Sequence, residues 1–214
     1  MKLDLPRADG TLVPHTMGEP RVFAASAEPS ASRVAYAAAH VVADPFADPS
    51  GGDAGGTLDW DATLAFRRHL WAHGLGVAEA MDTAQRGMGL GWAVTRELIA
   101  RSGREARAAG GRIVCGAGTD QLPPGPAPLD AIAAAYEEQL AVVEDAGAVP
   151  VLMASRQLAA SARGPGDYAA VYGRLLPQLR RPAVLHWLGP MFDPALEGYW
   201  GSADPDARRR RCWS

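Results

Sequence analysis

Lysine is almost missing from this chain: Lys2 is the only one among 214 residues, and every other basic side chain is arginine or histidine. Heavy alanine, arginine and glycine usage fits a GC-rich coding sequence and accounts for that scarcity in general. Any site that requires a lysine amine must nevertheless do without one beyond Lys2. Cysteine is equally sparse. Cys115 and Cys212 are too few for a disulfide scaffold, and no CxxC or Cys/His ligand spacing exists, which fits a reducing cytoplasm. An N-terminal leader is not expected, because Lys2 is followed by Asp4, Pro6, Arg7 and Asp9 and not by an apolar run. The longest apolar stretch, Val34 to Ala43, is interrupted by His40 and is too short to span a bilayer, so no membrane partner is expected. A net charge of −3 gives no electrostatic reason to expect nucleic acid or an acidic membrane. The run Arg208 to Arg211 is too short to change that reading.

Hydrophobic residues at 48% and charged residues at 21% describe an ordinary globular chain, long enough to bury its own core. Residues 1–16 read as a hairpin, with Leu3, Leu5, Leu12 and Val13 flanking an Asp9-Gly10 turn signal. Residues 18–32 read as a lead-in loop, so that 1–32 forms an N-terminal unit ahead of the main domain. Short apolar runs then begin at Arg33, Leu75, Arg112, Val149 and Pro182, bounded by Gly, Pro and Asp, as buried parallel strands are. Helical stretches lie between them, roughly at 59–73, 90–109, 128–146 and 166–180. Asp59 is a candidate N-cap, and Gly74, Gly110 and Gly147 stand where helices stop.

The strand starts recur every 33 to 42 residues, the cadence of βα units. A doubly wound open sheet would bring a glycine-rich phosphate turn after the first strand. The chain instead has His40-Val41-Val42-Ala43-Asp44 there, with no GxGxxG and no GxxxxGK[ST]. The expected fold is therefore α/β, of the (β/α)8 TIM-barrel type, with only about five βα units present over 33–205 and an irregular Arg-rich tail over 206–214. Three further units would need roughly 110 more residues, so the chain reads as C-terminally truncated relative to a closed barrel.

Functional side chains in such a fold gather at the carboxyl ends of the strands. The first strand ends with His40 and Asp44, and the second with Asp82, Thr83, Gln85 and Arg86. The third ends with Gly116, Gly118, Thr119, Asp120 and Gln121, the fourth with Ser155, Arg156 and Gln157, and the fifth carries His186 and Trp187. From these, Asp82, Thr83, Gln85, Arg86, Gly118, Thr119, Asp120, Gln121, Arg156 and His186 are the candidates for binding substrate. The threonines can hold a carboxylate through hydroxyl and backbone N–H groups. Arg86 and Arg156 can fork a carboxylate or phosphate, or else pair with a rim aspartate. No resident cofactor is expected. The alternative is a divalent metal held by His40, Asp82, Asp120 and His186, although no HxH or HExxH motif supports it. His69 and His73, one turn apart on the first helix, have the spacing of zinc ligands without a third partner.

The blocks RVAYAAAHVVADPFAD, LDWDATLAFRRHLWAHGLGVAEAMDTAQRGMGL and GAGTDQL resemble a small uncharacterised family of actinobacterial type. That family is grouped with the dihydrodipicolinate synthase and N-acetylneuraminate lyase aldolases. The likeness covers roughly residues 1–205. It implies a (β/α)8 barrel, a 2-keto-acid substrate and Schiff-base lyase chemistry. Met81-Asp82-Thr83-Ala84-Gln85 stands where the superfamily has a carboxylate-binding Gly-Thr-Thr-Gly-Glu turn. Gly116-Ala117-Gly118-Thr119 is similar to its glycine-rich turn after strand three. Ser155-Arg156-Gln157 replaces its proton-relaying tyrosine, and Leu185-His186-Trp187 stands near its Leu-Tyr-Asn segment. The superfamily's imine-forming lysine lies on a sixth strand, which this chain lacks, and Lys2 is a poor substitute. A Schiff base requires a desolvated amine.

Three readings follow. The first is an aldolase- or lyase-like protein whose 214-residue chain is inactive alone, with a small-molecule substrate in the full-length family. The second is a metal-dependent barrel isomerase or class II aldolase. The third is a non-catalytic module whose open sheet edges invite self-association.

Overall fold

A computed structural model describes residues 2–20, 22, 33–47, 58–84, 86, 89–186, 189–204, 206–207 and 210. The chain begins with an antiparallel hairpin of β1 (Lys2–Pro6) and β2 (Leu12–Thr16), in register Lys2↔Thr16 through Pro6↔Leu12. Gly10 closes its turn at φ +80°, a left-handed conformation that an L side chain rarely adopts.

The main body is a five-stranded parallel sheet in chain order. Its strands are β3 (Tyr36–Ala38), β4 (Gly76–Glu79), β5 (Ile113–Ala117), β6 (Val149–Leu152) and β7 (Val184–Leu185). Between them run α1 (Trp60–Ala72), α2 (Trp92–Ala109), α3 (Leu129–Asp145), α4 (Arg156–Ser161) and α5 (Pro165–Leu175). This corrects the expected barrel class. The sheet is an open half-barrel: among the described residues β7 pairs only with β6, β3 only with β4, and no ladder joins the two. The edge strands have three and two residues, and closure needs every strand bonded on both sides. The doubly wound alternative fails as well, because the strand order is sequential. The first apolar run, expected from Arg33, contributes only Tyr36–Ala38 to the sheet.

Two-residue alternation decides what each strand buries. Val77, Ile113, Cys115, Ala117 and Leu152 face the helices and join one core with Ile99, Ala106, Ile132, Tyr136, Leu140 and Val143. Val114, Val151, Met81 and Met153 form a smaller cluster with Ala78 and Val149. Helix ends follow their local chemistry. Asp59 caps α1 by accepting from the Ala62 amide at 2.8 Å, and Gly110 ends α2 at φ +64°. The stretch expected as one helix over 166–180 is α5 followed by a 3-10 turn at Leu176–Gln178, because Pro177 cannot donate to a continuing helix.

The segment after β7 folds back onto the main body. Leu196, Tyr199 and Trp200 are buried in the main core, where Tyr199 and Trp200 stack on Tyr168 and Tyr172 at centroid distances of 4.7 to 5.4 Å. Among the described residues, no helix is long and apolar enough to cross a membrane.

Candidate functional site

A cavity of about 570 Å³ opens at the carboxyl ends of β4 to β7. That is the end of a parallel sheet where ligands bind, and the size falls in the range of small-molecule pockets. Asp82, Arg86, Gly118, Thr119, Asp120, Arg156 and His186 all line it. Seven of the ten sequence-derived substrate candidates thus converge. Leu122, Met153 and Leu196 supply apolar wall.

The floor is built around Arg86, whose side chain is 3% exposed. Its Nε and Nη2 donate to the Asp120 carboxylate at 3.0 and 2.6 Å. Nη1 donates to the Gly116 and Ala80 carbonyls at 2.8 and 3.2 Å, and Nη2 also reaches Gln139 Oε1. The Trp92 ring lies 5.7 Å from the guanidinium. Every nitrogen of Arg86 is therefore engaged within the protein. It acts as a strut tying the end of β4 to the end of β5. Burial alone raises the Asp120 carboxyl, but the hydrogen bonds and charge of Arg86, with Gln139, outweigh it and hold the group below the ordinary carboxylate range.

Two backbone positions fit this strut. Ala80 takes a left-handed φ of +53°. It is held from both sides, its N–H donating to Glu79 Oε1 and its carbonyl accepting from Arg86. A Cβ on Gly116 would come within 2.5 Å of the Ala80 carbonyl oxygen and 2.6 Å of Met153 Sδ, so only glycine fits there.

Beneath the same end of β4 lies a second ion pair, this one fully buried. Arg67 and Glu79 are both fully buried and form two bonds of 2.8 Å. Ser102 Oγ donates to Glu79 at 2.6 Å, and Arg67 donates to the carbonyls of His40 and Thr63. This pair fixes α1 and α2 to β4.

The other wall is a hydroxyl cluster. Thr119 Oγ1 and Ser155 Oγ lie 2.6 Å apart, and Thr119 donates to Gln157 Oε1 at 2.8 Å. Ser155 N-caps α4 through the Leu158 amide, and its own N–H donates to the Tyr199 hydroxyl at 3.1 Å. Burial pushes the Tyr199 and Tyr136 phenols well above their usual range, so both remain neutral O–H groups. Arg156 leads α4 into the cavity mouth, and its Nε donates to Asp193 Oδ2 at 2.6 Å. His186 follows β7, held by its N–H donating to the Leu152 carbonyl. The His186 Nδ1 atom is buried with no hydrogen-bond partner among the described residues, a state that costs about 1–3 kcal/mol when left unfilled.

The remaining candidates lie elsewhere. Thr83 is exposed in a 3-10 turn and does not line the cavity. Gln121 turns toward α3, where its Nε2 donates to the Ala135 carbonyl and its Oε1 accepts from Gln139. Gln85 and Trp187 lie outside the described residues. His40 sits edge-on to Phe66, with centroids 5.0 Å apart, and does not line the cavity. His40 thus lies apart from Asp82, Asp120 and His186, which share the cavity wall, and no group of three His, Cys, Asp or Glu side chains is placed to hold a metal among the described residues. His69 and His73 stack at 4.4 Å on the exposed side of α1.

Sequence reasoning missed Gln139 and Asp193. Gln139 is mid-helix on α3 and carries no local signal. Asp193 precedes Pro194 in an N-cap pattern, which its bond to the Ala195 amide realises, but its pairing with Arg156 needs the fold.

Residues 3–214 match a family model described as Protein of unknown function (DUF993). No curated protein matches the chain.

Proposed function

The chain belongs to this DUF993 family, and we propose that its cavity binds a small carboxylate-bearing carbonyl compound of the 2-keto-acid class, in a lyase-like setting. The observation that carries the reading is the convergence of Asp82, Thr119, Arg156 and His186 on one cavity at the carboxyl ends of parallel strands. Arginine and hydroxyl groups suit a carboxylate, and Asp82 and His186 are of the types that move protons beside a carbonyl. The likeness of Gly116-Ala117-Gly118-Thr119 to an aldolase turn points the same way. The chain's own lysine does not enter the chemistry: Lys2 is exposed in β1 and is not part of the cavity lining. The 214-residue chain therefore binds without forming an imine. A reducing cytoplasm suits Cys115, a free thiol buried in the core.

Calorimetric titration with 2-keto acids tests the reading, using Ala160→Trp to fill the cavity from α4, where Ala160 is exposed on its wall. Saturable binding that this variant abolishes supports the proposal. Absence of binding, or binding indifferent to Ala160→Trp, overturns it.

A further inference from the structure

Two arginines face the cavity, and the fold treats them differently. All nitrogens of Arg86 are engaged by Asp120, Gln139 and two carbonyls. Arg156 is engaged only at Nε, by Asp193, and its side chain is 57% exposed at the cavity wall. Its two terminal amino groups have no partner among the described residues. Asp193 is itself fixed, 13% exposed and bonded to the Ala195 amide, so it orients the guanidinium without occupying its outer edge. The planar fork left open matches a carboxylate.

The apolar wall restricts the rest of the ligand. Leu122, Met153, Ala195 and Leu196 line the cavity, and the volume of about 570 Å³ far exceeds what a three-carbon acid would fill. Resting on the 2-keto-acid reading, we propose that Arg156 anchors the carboxylate of a ligand whose large apolar substituent lies against Leu122, Met153 and Leu196. Arg86 is a structural strut and makes no bond to the ligand.

The test uses the full chain, with phenylpyruvate, its neutral amide and pyruvate as probes in calorimetry. Phenylpyruvate binds at least tenfold more tightly than either other probe. Arg156→Gln weakens phenylpyruvate by about tenfold to a hundredfold, the range of a charge-assisted fork. Arg156→Lys, which keeps charge without the fork, recovers part of the loss. The amide binds both forms alike, and urea midpoints of the variants match the parent chain. Equal binding of phenylpyruvate by the parent and Arg156→Gln overturns the anchor and leaves the cavity reading standing. An amide that binds as well as the acid does the same. Pyruvate binding as tightly as phenylpyruvate overturns the apolar substituent. If none of the three binds, the inference and the reading beneath it both fail.

Discussion

The buried Arg67–Glu79 pair offers the sharpest energetic test of how the cavity floor is held. Both side chains are 0% exposed. Arg67 makes four hydrogen bonds, two to Glu79 and one each to His40 and Thr63, and Glu79 accepts two more from Ser102 and the Ala80 amide. Removing one partner strands the other charge in the core, which costs about 3–5 kcal/mol. Glu79→Gln and Arg67→Met should each lose that much, a large share of a chain stability of about 5–15 kcal/mol. The double variant removes both charges and leaves polar groups short of partners, the His40 carbonyl and whichever of the Ala80 amide and Ser102 hydroxyl the glutamine oxygen no longer accepts, at about 1–3 kcal/mol each. Its loss should be about 3–5 kcal/mol, well below the sum of the singles. Urea unfolding followed by circular dichroism measures all three. Where a single variant fails to fold, a double variant that folds gives the same sign. Additive losses would show that the two charges do not support each other and would refute the clamp.

Four other outcomes follow from the same geometry. Gly116→Ala should destabilise strongly by driving its Cβ into the Ala80 carbonyl, whereas Gly118→Ala meets nothing nearer than 3.5 Å and should cost under about 1 kcal/mol in urea unfolding. The lowered carboxyl of Asp120 contributes stability that is complete above the unfolded value of about 3.9 and is lost as pH falls through the lower folded value. Urea midpoints should therefore drop below about pH 4, and less steeply in Asp120→Asn. Burial raises the Cys115 thiol well above its usual range, so in a Cys212→Ser background a disulfide thiol reagent at pH 8 should label the chain only after denaturant is added. Borohydride treatment with pyruvate should leave no mass adduct on any cavity residue; such an adduct would contradict the exclusion of imine chemistry.

Much of the sheet was legible because buried parallel strands announce themselves as short apolar runs, and glycine and proline mark where the helices stop. Val77, Cys115 and Leu152 lie on strands where those runs put them. The barrel was not legible, since cadence reports βα units and says nothing about whether an edge strand finds a partner. Tyr36–Ala38 and Val184–Leu185 are too short to carry a closing ladder. The rim candidates fared according to what each does locally. Asp82 and Thr119 reach the cavity because strand ends point there. His40 does not, because its strand stops at Ala38 and its ring settles against Phe66. The difference between Arg86 and Arg156 was invisible in the sequence, because Gln139 and Asp193 lie 53 and 37 residues away from the arginines they meet.

The proposed ligand of the cavity at the carboxyl ends of β4 to β7 is an acid with an apolar substituent. Methyl-resolved NMR with phenylpyruvate tests it most directly. Saturable shifts are expected at Met153, Leu122 and Leu196, which line the cavity, and none at Leu3 or Leu12 in the hairpin. Shifts confined to the hairpin, or no shift at the cavity methyls at any concentration, would contradict it.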